Sequence, residues 1–237
     1  MKKITLAIVS LGLFILVFLQ YGRNSYVPMV KKIVSNETIA SIKKKIETGV
    51  LERLSSVMDV QERSQLPKTL ALVGLKEEQV LEVYALEGES TRLLRSYPFT
   101  GFSGELGPKL EQGDLQIPEG IYKVEYLNPN SAYYLSMKIN YPNEFDIKKS
   151  KFSELKRMGD NIFIHGKSTT VGCIPIGDEA IEELFLLVEH ALENEVKVII
   201  SPRDFRLGKV YPSIENIEWE EELYKEIEKE LKSFPGA

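Results

Sequence analysis

The chain has 237 residues, 43% hydrophobic and 27% charged, with 16 Gly and 11 Pro. These values fit a globular protein and exclude collagen, low-complexity repeats and wholesale disorder. A net charge of -5 offers no basic field, so no nucleic-acid partner is expected; one cysteine and two histidines make an internal disulfide impossible and a metal cage improbable. No metal and no cofactor is therefore expected.

Met1-Lys2-Lys3 precedes an uncharged run from Ile4 to Leu19. Sixteen helical residues reach about 24 Å, short of a ~30 Å hydrocarbon core, and Gln20 and Tyr21 extend the run into the interface. No small-residue cleavage site follows in Gln20-Tyr21-Gly22-Arg23-Asn24. Residues 1–22 thus read as an uncleaved signal anchor, lysines on the cytoplasmic side. The expected place is the cell envelope: anchored in the inner membrane, with the remaining chain outside the cytoplasm.

Residues 23–66 carry a local charge of +3 and residues 67–237 one of -10. Before that break Ile39, Ile42, Ile46, Val50, Leu51 and Leu54 recur at helical spacing. Residues 23–66 read as a helical stalk, its cluster Lys43-Lys44-Lys45 a solvated face. From Leu70 the pattern changes to short strands, Leu70 to Val73, Gln79 to Leu86 and Thr91 to Phe99. A loop rich in glycine and proline spans Gly101 to Gly120. Ile121 to Leu127 and Tyr133 to Ile139 predict two strands joined by a turn at Asn128-Pro129-Asn130. Asn161 to His165 and Val196 to Ser201 predict two more. Asp178 is placed to cap a helix bearing Ile181, Leu184, Phe185, Val188, Ala191 and Leu192. Trp219, Leu223, Ile227 and Leu231 mark a final helix within residues 213–237. The expected fold class is α+β, predominantly antiparallel β, with a few helices packed on one side. The expected catalytic domain is 67–212.

The chemistry concentrates at 161–178. One of two histidines, His165, ends a strand eight positions before the only cysteine. Gly166 and Gly172 flank the connecting loop, and a glycine just before the thiol frees backbone amides to face a developing oxyanion. A neighbouring imidazole makes the thiolate that cysteine acyl transfer needs. A lone cysteine is also commonly a small buried hydrophobe, so spacing alone leaves both readings open. His190 lies opposite its helix's apolar stripe and is expected to be a solvated surface residue. Asp114, Glu119, Asp146 and Asp160 fall in turn-like contexts where carboxylates cap the backbone, which disfavours a glycosidase pair.

The segment resembles the catalytic motif of the L,D-transpeptidases (YkuD-type domain), in the branch with a short loop from His-Gly to Ser/Thr-x-Gly-Cys. The family's nucleophile falls on Cys173, its base on His165, its glycine on Gly172 and its Ser/Thr on Thr170. Gly107-Pro108-Lys109, Gly113-Asp114, Pro118-Glu119-Gly120-Ile121-Tyr122, Leu127-Asn128-Pro129-Asn130-Ser131, Leu135-Ser136, Tyr141-Pro142-Asn143 and Asp146 follow in the family's order. Two positions depart from the pattern: Val171 stands where a second histidine is usual, and Pro175 where an arginine is usual. If that arginine steadies a substrate carboxylate, Lys167 and Lys109 are the candidate substitutes, with Tyr141 a further candidate substrate contact.

The resemblance implies that Cys173 attacks the diamino-acid carbonyl of a peptidoglycan stem peptide and expels D-alanine. His165 carries the proton, a carbonyl of the 167–170 loop orients its ring, and backbone amides at Gly172 and Cys173 hold the oxyanion. An amine acceptor gives a cross-link. Water makes the same machinery an L,D-carboxypeptidase or amidase, cleaving wall peptides or releasing a wall-linked protein. A membrane-anchored binding module is the remaining alternative, and it would need neither His165 nor Cys173.

Overall fold

The computed structural model describes residues 37–58, 62–88, 90–150, 158–215 and 217–236. The expected anchor over 1–22 and the first part of the expected stalk lie outside the described residues. No helix among the described residues is long and apolar enough to cross a membrane.

Ile39–Ala237 form one compact unit. Its strands are β1 (Leu70–Leu75), β2 (Val80–Glu87), β3 (Ser90–Pro98), β4 (Gly120–Ser131), β5 (Tyr134–Ile139), β6 (Phe163–His165), β7 (Ile174–Pro175) and β8 (Lys197–Ser201). They join in one sheet of order β3-β2-β1-β8-β4-β5-β6-β7. Neighbours are antiparallel except β1 with β8 and β6 with β7. Four α-helices accompany the sheet among the described residues: α1 (Ile39–Ser55), α2 (Glu144–Lys149), α3 (Asp178–Ala191) and α4 (Glu220–Leu231). The class is mixed α+β with a mostly antiparallel sheet.

The helices do not share one side. β1 is buried along its whole length. Its Leu70 and Leu72 join one apolar cluster with α1 and α3, while Ala71, Val73 and Leu75 join another with Leu223, Tyr224, Ile227 and Leu231 of α4. A strand covered on both faces needs a continuous apolar run rather than alternation, and Leu-Ala-Leu-Val-Gly-Leu supplies one.

Nor does α1 stand apart as a stalk. Ile42, Ile46, Val50 and Leu54 are buried in the common core. Lys43 pairs with Glu189 at 3.0 Å, and Arg53 with Glu182 and Glu183 at 2.9 and 2.8 Å. The charge break near Pro67 therefore reflects a basic helix meeting acidic positions of α3. The boundaries expected at 67 and 213 both fall inside the compact unit.

Two local readings also change. β4 runs on through Asn128-Pro129-Asn130: Asn128 pairs with Ser136, Ser131 with Tyr134, and an irregularity between them accommodates a proline that has no N–H to give. Asp178 is the first residue of α3 rather than its cap, because Gly177 occupies that position without a side-chain bond.

A buried ion pair fixes the loop that approaches the site. Lys76 and Glu119 are fully buried and 2.8 Å apart. Lys76 Nζ also donates to the carbonyls of Gly107 and Ile117, and Glu119 accepts from Gly107 N and the Tyr224 hydroxyl. With these donors and acceptors engaged, the pair ties the two ends of the 107–117 loop to β1 and α4.

Candidate active site

β6 ends at His165, and β7 starts one residue after Cys173. The parallel register sets Ile164 against Ile174 and His165 against Pro175. The loop between them is short because its turns are built from glycine. A Cβ on Gly166 would lie 2.7 Å from Asp178 Oδ1 and 2.9 Å from the Tyr133 carbonyl. Gly172 has φ 122° and packs so closely that a Cβ would meet the Gln116 carbonyl at 2.9 Å.

The His165 side chain is 1% exposed and its ring lies 4.5 Å from that of Tyr133. Nδ1 lies 2.5 Å from the Gly166 carbonyl. A carbonyl only accepts, so the proton sits on Nδ1 and Nε2 presents a lone pair. The orienting carbonyl thus belongs to Gly166, one residue before the expected 167–170 loop. Nε2 is buried and has no hydrogen-bond partner.

Cys173 is half-buried, and its thiol makes a long contact of 3.8 Å to the Asn161 carbonyl. Burial raises the thiol's pKa above its ordinary value, against a backbone hydrogen bond from Phe163 and the charge of Lys109, which lower it. Burial likewise lowers the pKa of His165, against the Gly166 contact. Both shifts disfavour charge, favouring the thiol on Cys173 and the neutral ring on His165.

Thr170 is the hub of the turn. Its hydroxyl donates to the Cys173 carbonyl at 2.7 Å and accepts from the amides of Gly172 and Cys173 at 3.2 and 2.9 Å. These two amides were the expected oxyanion donors, yet here they address Thr170 inside the turn. Gly172 therefore serves conformation and close packing in this state.

The three expected substrate contacts are otherwise occupied. Lys109 is buried, 2.5 Å from Asp114 Oδ1 and 2.8 Å from the Glu111 carbonyl. Its charge reaches Cys173 only as a field. Tyr141 is buried and donates to the Lys109 carbonyl at 3.1 Å, which makes it a support for that loop. Lys167 is exposed but bridged to Asp178 at 2.5 Å and lies over the Tyr134 ring. None of them presents a free cation beside the sulfur.

His190 is half-buried rather than solvated, with a covered Nε2 that has no partner. The four weighed carboxylates form no catalytic pair. Asp114 gathers the amides of Leu110, Glu111 and Gln116, Glu119 holds Lys76, Asp146 caps α2, and Asp160 bonds Asn161. A cavity of about 920 Å³ lies beyond Gln116, lined also by Leu110, Asp114, Arg203 and Ile214. Gln116, whose carbonyl packs against Gly172, is one of its lining residues.

Sequence reasoning gave no part in the site to Tyr133 or Gln116 and met Ser136 only within the family's Leu135-Ser136 motif. Ser136 alternates with Leu135, Met137 and Ile139, so the pattern places it on the solvent face. In the fold it lies directly opposite His165 and is buried.

A model of the YkuD family, described as the L,D-transpeptidase catalytic domain, matches residues 68–200. Proteins of Escherichia coli K12 and O157:H7 named "Putative L,D-transpeptidase YafK" are each 39% identical over 132 residues, 54% of this chain and 51% of theirs. The chain spans about half the length of these curated relatives. Among solved structures it is similar to the helical cell shape determining protein Pgp2 from Campylobacter jejuni (17% identity, 77% of this chain and 76% of that one, TM-score 0.47). It is also similar to Bd1075 of Bdellovibrio bacteriovorus (22% identity, 71% and 56%, TM-score 0.43).

Proposed function

The chain belongs to the L,D-transpeptidase catalytic domain family, and on that premise we propose that it is a cysteine acyl-transfer enzyme acting on peptidoglycan stem peptides. The observation that carries this reading is that the parallel pairing of β6 with β7 brings the segments bearing His165 and Cys173 together at one end of the sheet. Cys173 stands beside the strand that ends in His165, whose Nδ1–H is held by Gly166 and whose Nε2 is buried without a hydrogen-bond partner.

The chemistry follows from that pair. His165 Nε2 takes the thiol proton as Cys173 Sγ attacks the carbonyl carbon joining the diamino acid to D-alanine. The imidazolium then gives that proton to the departing amine, the C–N bond breaks, and a thioester remains on Cys173. An amine of a second stem peptide attacks the thioester, loses its proton to His165, and leaves a new amide. The sulfur departs as thiolate and recovers its proton from His165. Water in place of the amine yields a free carboxylate by the same steps.

Backbone amides of Gly172 and Cys173 serve as oxyanion donors once Thr170 Oγ1 releases them. Each such donor is worth roughly 3 to 4 kcal/mol in acyl-transfer enzymes. We place the enzyme in the cell envelope, held by residues 1–22 with the domain outside the cytoplasm. The uncharged run behind Lys2 and Lys3 supports this placement.

The test is to incubate the protein with a tetrapeptide stem and read products by mass. Release of D-alanine with a dimer mass supports transfer, and release with the tripeptide alone supports hydrolysis. An unchanged tetrapeptide, with folded protein, contradicts both.

A further inference from the structure

The peptide group joining Gly166 to Lys167 is hydrogen-bonded at both ends. Its carbonyl, on Gly166, accepts from His165 Nδ1 at 2.5 Å, and its N–H, on Lys167, donates to Asp178 Oδ1 at 2.9 Å. In a trans peptide these two groups point in opposite directions. A carboxylate that holds the N–H therefore aims the carbonyl away from itself, here at the imidazole. Lys167 has φ 61°, a left-handed conformation that a residue with a Cβ adopts at a cost. Its own carbonyl is held by the Thr100 hydroxyl at 2.5 Å, so the strained residue is tied on both sides. Asp178 Oδ2 meets Lys167 Nζ at 2.5 Å, and the helix end is capped without a side-chain bond. Both oxygens of Asp178 are thus engaged by the catalytic turn rather than by α3.

Resting on the assignment of His165 as the base, we propose that Asp178 is a positioning residue for it, acting through the Gly166–Lys167 peptide group. The carboxylate fixes the peptide plane, the carbonyl fixes the proton on Nδ1, and Nε2 is left as the acceptor for the Cys173 proton. When Nε2 takes that proton the ring becomes a cation and Nδ1–H a stronger donor. A carbonyl whose own amide is polarised by a carboxylate is the better acceptor for it. The Gly166 contact already favours the charged ring against burial. Glycine is required at 166 for this arrangement, because a Cβ there would lie 2.7 Å from Asp178 Oδ1. Standing one peptide away, the carboxylate orients the ring without the direct contact that would hold it protonated at rest.

Two readouts on the full-length protein test this. The first is the tautomer of His165, read at pH 8 from the imidazole ¹⁵N shifts of histidine-labelled protein and assigned by the signal lost in His165→Ala. The second is the rate at which iodoacetamide alkylates the single cysteine, Cys173, at pH 7. Wild type is expected to show the Nδ1–H tautomer alone. Asp178→Ala places a good helix former at an exposed helix start, so the protein folds. It is expected to mix the two tautomers and to slow alkylation ~10-fold, the scale of one hydrogen bond to a charged group. Asp178→Asn keeps an oxygen for the Lys167 amide and is expected to restore the single tautomer and most of the rate. Lys167→Met removes the ion pair but keeps the amide, and is expected to retain the Nδ1–H tautomer. An Asp178→Ala protein with the wild-type tautomer or the wild-type rate overturns the proposal. So does an Asp178→Asn protein as impaired as Asp178→Ala, or a Lys167→Met protein with mixed tautomers. If His165→Ala is alkylated like wild type, the base assignment fails instead, and the tautomer data still report separately on Asp178.

Discussion

At the scale of single residues, burial sets the protonation of the site. It holds the Cys173 thiol above its ordinary pKa and the His165 imidazole below 6.5. The reactive form, thiol plus neutral imidazole, therefore spans the neutral range, and lowering the pH removes it only when the ring protonates. The rate of acylation should show an acid limb with a midpoint below 6.5. A stopped-flow or mass-based acylation profile from pH 4 to 9 checks this, and a limb at 7 or above would show that the ring is stabilised as a cation in the resting enzyme. Cys173 and His165 were legible as candidates in the sequence because the chain has so few reactive side chains. Their surroundings were not. Ser136 looks like an outward strand position, and the commitment of Lys109 and Lys167 to acidic partners depends on loops that meet only in three dimensions.

At the scale of elements, α1 is the clearest departure from the sequence reading. Its helical stripe is plain in the spacing of Ile42, Ile46, Val50 and Leu54, but periodicity says only that one face seeks cover and not what covers it. The cover is the core shared with α3 and the sheet. Leu54 is fully buried, so Leu54→Ala should cost about 2–5 kcal/mol. Urea unfolding of the two proteins measures it; a loss under about 0.5 kcal/mol, the scale of a surface substitution, would mean that α1 is an appendage after all. The strands were largely legible because their Val, Leu and Tyr runs are bounded by turn residues. The hairpin tip was misplaced because Asn-Pro-Asn is a turn signal that a bulged strand can also absorb.

At the scale of the whole molecule, the sheet, the two apolar clusters and the buried Lys76–Glu119 pair bring three separate stretches to one end of β6. Those stretches are the 107–117 loop, the Tyr133–Ser136 reversal and the Gly166–Cys173 turn. The central claim is that this arrangement makes Cys173 a nucleophile dependent on His165. Its most direct measurement is the mass of the protein after exposure to a carbapenem, an acylating probe of this family's thiolates, in wild type, Cys173→Ala, His165→Ala and His190→Ala. The account predicts one adduct on wild type, none on Cys173→Ala, formation slowed ~100-fold or more by His165→Ala, the scale of a lost general base, and wild-type kinetics for His190→Ala. An adduct on Cys173→Ala, or a His165→Ala protein that acylates at the wild-type rate, would contradict it.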